Sequence, residues 1–237
     1  MIKLFRRIRQ NLIMENKKGK YLKYAIGEIV LVVIGILIAL QLNAWKEEIN
    51  ATQELKTSMN LMLDDLSQDI DFYNLQIERT ETRILLLNNF LKGNYSEIDI
   101  ELIPGEIARN IPNRNFGTTY ISLKEDRKFS MIKNLDLKKN ITFYYEMSCK
   151  TYSQFSNWHL KFVTETIESY IVLNLPIIRG FKVNSKDVIE NSKLISLTNY
   201  QLTINDEALV MLKNNKLLAE EMSLFINAEF NESLTND

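Results

Sequence analysis

An all-α fold is predicted here: an N-terminal transmembrane helix that continues into a long helical stem, followed by an extramembrane antiparallel helical bundle. Three features point to it. Ile29 to Leu40 form an unbroken apolar run. Beyond that run, apolar residues recur in steps of three and four over most of the chain, the period of a helix with one buried face. Only seven glycines and three prolines interrupt 237 residues, too few for a fold of short strands and tight turns.

Residues 1–20 form a basic cytoplasmic segment. Ile2, Phe5, Ile8 and Leu12 recur at helical spacing, with Lys3, Arg6 and Arg7 turned elsewhere. Such a segment either lies as an amphipathic helix in the membrane interface or serves only as a topology signal. Residues 21–45 form the spanning helix. At ~1.5 Å per residue the stretch from Tyr24 to Trp45 covers a hydrocarbon layer of ~30 Å. Tyr21, Tyr24 and Trp45 then fall at the two headgroup levels, where amphipathic rings are favoured. A cleaved signal peptide is the competing reading. Against it, the run lacks an early small-residue cleavage site and leads directly into a helical pattern.

Eight basic residues precede the span, Lys3 to Lys23, against one acid, Glu15, so the N-terminus is expected to stay in the cytoplasm. After Trp45 the balance reverses: 21 basic and 28 acidic residues give a formal charge of −7. Nucleic-acid binding by the larger part is disfavoured by that charge. The expected partners are the lipid bilayer and a second copy or another membrane protein.

Within the span, Glu28 stands out, because a carboxylate in a spanning helix is costly. Either it reaches the headgroups, or it makes a polar contact to another helix. At ~100° per residue, Glu28, Gly35 and Ala39 share a narrow sector, and Gly35 with Ala39 is a small-xxx-small pair. These three are the candidate packing residues of the span.

Residues 46–230 are expected to form one periplasmic helical domain. Its first helix carries Leu55, Met59, Met62, Leu66, Ile70, Tyr73, Ile77, Ile84, Leu87 and Leu91 inward. Asp64, Asp65, Asp69, Asp71, Glu78 and Glu81 give it an acidic outer face. Leu61, Leu63, Phe72, Leu75 and Leu86 widen the apolar stripe beyond a two-stranded seam, which favours a multi-helix bundle over an isolated coiled coil. Gly93 and Asn94 close this helix. Short helices are expected near Ile103 to Asn110 and Thr118 to Asp126, in a region broken by Pro104, Gly105, Pro112 and Gly117.

Asn134 is a suitable N-cap for the next long helix. That helix carries Leu137, Ile141, Tyr144, Ser148, Tyr152, Phe155, His159, Phe162, Thr166 and Tyr170 on one face and ends before Pro176. A last helical stretch covers Ser185 to Phe230, with an interruption near Thr203 to Asp206 where Asn205 caps a fresh start. Residues 231–237 are expected to fray as a disordered tail.

The opening MIKLFRRIRQ and the stretch KYLKYAIGEIVLVVIGILIALQLNAWKEE resemble the N-terminus of an uncharacterised family of single-span proteins from Bacteroidota. The similarity continues more weakly through Phe116-Gly117-Thr118-Thr119-Tyr120 and Met131-Ile132-Lys133-Asn134 to Tyr144-Tyr145. Asp126-Arg127 departs from the family, which has a small Ser-Gly turn there. The resemblance implies an inner-membrane protein with a helical periplasmic part and brings no assigned activity.

No catalytic, cofactor-binding or metal-ligating set has its usual spacing. His159 is the only histidine and lies between Phe155 and Phe162 on an apolar stripe, where a place at the core edge explains it better than a ligand or base. Cys149, the only cysteine, cannot form an internal disulfide, which leaves burial, the default expectation, or an intermolecular bridge. Tyr144, Tyr145, Tyr152, Phe155 and Trp158 read mostly as core packing. The expected role is therefore non-enzymatic, a partner-binding scaffold or accessory subunit of the inner membrane without cofactor. A periplasmic ligand sensor signalling through a transmembrane dimer is the alternative, and an enzyme of unknown type the second.

Overall fold

The computed structural model describes residues 18–230, and among them every regular element is helical. The expectations for residues 1–17 and 231–237, and for the Tyr21 and Tyr24 side chains, lie outside what is described. Helix α1 runs Lys18–Leu91. It is followed by α2 (Glu97–Ile107), α3 (Thr118–Glu125), a 3-10 turn (Lys128–Met131) and α4 (Leu135–Phe143). Then come a π-helical turn (Tyr144–Cys149), α5 (Lys150–Phe162), a second π turn (Val163–Glu168), α6 (Ser169–Asn174), α7 (Ser185–Ile189) and α8 (Ser192–Phe230).

The chain divides into two compact units, one ending at Glu54 and one beginning at Leu55. Among the described residues of the first unit, α1 is apolar enough to cross a membrane. From Ala25 it contains an 18-residue window of mean hydropathy 2.6, and the rest of the chain buries none of that window.

In the second unit, α1 buries Leu55, Met59, Met62, Leu66, Asp69, Tyr73, Gln76, Thr80, Leu87 and Phe90. As far as Thr80 the steps alternate four and three, and Leu87 follows after seven, a 3.5-residue repeat like that of a coiled-coil seam. Helix α8 does the same through Leu194, Thr198, Gln201, Asn205, Ala208, Leu212, Asn215, Ala219, Met222 and Ile226. The two helices run antiparallel: Lys213 pairs with Glu81 and Asn205 with Arg83, so one number falls as the other rises. Residues 135–174 run parallel to α1 instead. Leu137 to Tyr152 share a core with Leu55 to Tyr73, and Val163 to Ile171 share a second core with Leu87 and Phe90. Residues 92–134, with α2 and α3, bring the chain back to make that possible.

Asp69, assigned to the acidic outer face by its charge, is only 1% exposed. The 3.5-residue repeat turns position 69 inward where a strict 3.6-residue stripe would turn Ile70, which is half-buried. Asn205 is also not the cap of a new helix. α8 runs through it unbroken, and its side chain donates to Gln201 O one turn earlier. Helix α2 starts six residues ahead of the expected Ile103, on a capping box in which the Ser96 hydroxyl accepts from Asp99 N–H and the Asp99 carboxylate accepts from Ser96 N–H.

Arg127 is the one described non-glycine residue with positive φ, at 60°. Left-handed backbone costs an ordinary L residue about 1–2 kcal/mol, and the glycine of a Ser-Gly turn avoids that cost. Its guanidinium side chain is exposed. Arg127→Gly is therefore expected to raise stability by about 0.5–1 kcal/mol once glycine's extra unfolded-state freedom is subtracted. Thermal unfolding of the full chain in detergent checks this; an unchanged or lower midpoint would show that the turn is not strained.

Candidate functional site

Glu28, Gly35 and Ala39 lie on one stretch of α1, Glu28 half-buried and the other two exposed. A Cβ added at Gly35 would meet nothing within 4 Å. The small-residue sector is therefore open along its length.

The chemistry-bearing residues of the second unit gather in its middle. His159 is 0% exposed. Ile111 N–H donates to its Nδ1 at 3.0 Å, which leaves the proton on Nε2 to be donated to Gln201 Oε1 at 2.9 Å. Gln201 Nε2 in turn donates to Ile107 O. From the same rod, Ser156 Oγ donates to Ile111 O at 2.6 Å and Tyr152 OH to Pro112 O at 2.7 Å. Four side chains thus hold residues 107–112, where α2 ends and the chain leaves the helix. Burial pushes the His159 pKa below the usual imidazole value, with Gln201 working the other way. Both ring nitrogens are occupied by structural bonds, and the sequence had placed this residue only at a core edge.

The second constellation escaped the sequence reading. Tyr144 OH donates to Asp69 Oδ2 at 2.9 Å, and Arg114 Nη2 lies 3.4 Å from Asp69 Oδ1. Burial outweighs both contacts and raises the Asp69 carboxyl to about 6. Tyr73 OH sits 3.8 Å from the Cys149 sulfur, and burial pushes that thiol up to about 12, so it is the inert, protonated thiol expected of a buried cysteine. Tyr145 OH is buried with no hydrogen-bond partner.

Phe116 to Tyr120 dock onto this cluster. Phe116 stacks on Tyr73 with ring centroids 5.8 Å apart, and the Arg114 guanidinium lies 5.6 Å from the Phe116 centroid. Gly117 at φ 76° lets the backbone pass over the Tyr145 ring. Asp65 Oδ2 accepts Thr119 N–H at 2.9 Å, capping the α3 start that Gly117 cannot cap. Tyr120 stacks on Tyr145 at 4.9 Å and donates its hydroxyl to Glu146. Lys124, 2.7 Å from the same Glu146 oxygen, helps hold that carboxyl below its usual range.

No family model, curated protein or solved structure matches this chain. Among the described residues, no group of three or more His, Cys, Asp and Glu side chains is arranged to hold a metal ion. Of the expected aromatic stretch, Tyr144, Tyr145 and Tyr152 are core, Phe155 is half-buried and Trp158 lies at the surface.

Proposed function

We propose that this chain is a single-pass inner-membrane protein, with its N-terminus in the cytoplasm and its helical unit in the periplasm, that works by binding a partner as a scaffold or accessory subunit rather than by catalysis. It belongs, on this reading, with the single-span Bacteroidota proteins its N-terminus resembles. The observation that carries the proposal is the uncovered apolar stretch of α1. Each buried square ångström of apolar surface is worth about 25 cal/mol, so a helix of this hydropathy needs lipid around it. The basic flank from Lys3 to Lys23 supports the orientation. The binding role is supported by His159 and Cys149, whose reactive atoms are spent on packing and structural bonds.

Carbonate-washed membranes should retain the full chain, and a periplasm-dependent reporter fused after Asp237 should be active. Release into the wash, or activity of a cytosol-dependent reporter only, would overturn the proposal. A sensor signalling through a span dimer is the second reading, favoured by the open Gly35 and Ala39 sector. It requires that Gly35→Leu or Glu28→Gln weaken self-association in a membrane two-hybrid assay.

A further inference from the structure

A cleft of about 580 Å³ opens between the outer side of α1 and the end of α2. Leu75, Leu86 and Pro112 supply apolar wall, and Arg79, Arg83 and Arg109 bring three guanidinium groups to it. Glu78 and Glu106 are the acids that line it, so the cleft carries one net positive charge.

The donors of this cleft are incompletely used. Glu106 lies 2.9 Å from Arg109 Nε and 3.6 Å from Arg83 Nε, one carboxylate shared by two forks. The Arg83 side chain is only 10% exposed. Its Nη1 donates to Arg109 O and to Asn205 Oδ1, yet its Nε is buried without a hydrogen bond. Gln76, 5% exposed, also lines the cleft. Arg79 is exposed and has no ion-pair partner among the described residues. A buried donor without a hydrogen bond is costly, and Arg83 Nε is one, on a residue that lines a concavity large enough for a small molecule.

We propose that this cleft binds an apolar monocarboxylate: the carboxylate bridges Arg79 and Arg109 beside Gln76, and its hydrocarbon body lies along Leu75, Leu86 and Pro112. Guanidinium forks match carboxylate geometry, and Glu106 already displays that match with Arg109. A single net positive charge suits a monoanion better than a dianion. The apolar walls add burial that a bare inorganic anion cannot use. The carboxylate comes from a free branched acid or from the C-terminus of a peptide, sources of one chemistry. All the lining residues belong to the unit from Leu55 onward, so the site stands or falls independently of the membrane assignment.

The full chain in lipid nanodiscs is titrated calorimetrically with 4-methylpentanoate, with 4-methylpentanamide, with a leucine-ending tripeptide as acid and as amide, and with inorganic phosphate. The acids should bind, with their amides and phosphate at least tenfold weaker. Tighter binding of 4-methylpentanoate identifies the free acid, and tighter binding of the peptide acid identifies a peptide terminus. Arg79→Gln, at an exposed position, should leave the unfolding midpoint in place and weaken the acids roughly tenfold. Glu106→Gln, which removes the internal competitor, should tighten them. Equal binding of acid and amide, phosphate binding as well as the acids, absence of binding, or unchanged affinity in Arg79→Gln would each overturn the proposal.

Discussion

Gly117→Ala is expected to destabilise the fold by about 2–4 kcal/mol, the sum of a left-handed backbone penalty and overpacking against a ring. The Cβ would stand 2.7 Å from Tyr145 Cδ1 and 3.0 Å from Cε1, at a φ of 76°. The ring cannot retreat easily. It is stacked on Tyr120 and meets Tyr144 edge-on at 4.8 Å, and Tyr144 is tied to Asp69. In a Tyr145→Leu background the steric share of the loss should shrink and leave the backbone share, so a double-mutant cycle by denaturant unfolding should show clear coupling. Additive effects would mean that the close approach is not what requires glycine at this position.

His159→Ala is expected to cost about 3–5 kcal/mol, because it opens a cavity and orphans both Ile111 N–H and Gln201 Oε1. The loss should also depend on pH, with a sign set by the depressed imidazole pKa. The unfolded chain takes up the proton first, so the stabilisation from neutral His159 is complete above the unfolded value of about 6.5 and is lost as pH falls below it. Asp69 works in the opposite sense. Its folded pKa of about 6 exceeds the ordinary 3.8, so its contribution is complete below about 4 and is lost as pH rises through 6. Comparing His159→Ala with the parent at the same pH cancels the Asp69 part. Urea unfolding at pH 7.5 and pH 5 should then give a smaller difference at pH 5; an equal difference would mean that the ring is not held neutral.

The all-α class was legible because spacing and breaker content are local properties. The apolar stretch of α1 was legible for the same reason. Stripe assignments failed where the helix departs from 3.6 residues per turn. Along residues 135–174 the expected face holds through Leu137, Ile141 and Tyr144. From the π turn at Tyr144–Cys149 onward Tyr152 and His159 stay on it, but the other buried positions move on by one residue, to Cys149 instead of Ser148, Ser156 instead of Phe155 and Val163 instead of Phe162. A π turn holds one residue more than an α turn, and no side chain announces it. Asp69, Gln201 and Asn205 were missed for a different reason. Polarity argues for the surface, and only a partner distant in sequence, such as Tyr144 for Asp69 or Arg83 for Asn205, makes burial tolerable. The arginine cleft is of that second kind, since Arg79 and Arg109 lie thirty positions apart and line one cleft only because α2 folds back along α1.

Both indoles sit at the surface, Trp45 at 63% exposure and Trp158 at 46%, while the interior aromatics are tyrosine and phenylalanine. Tryptophan emission will therefore follow the surroundings of those two rings and respond little to loss of the interior. The packed phenols around Tyr73 and Tyr145 hold the optical asymmetry of this molecule, and their near-ultraviolet dichroism is the signal by which its melting should be followed.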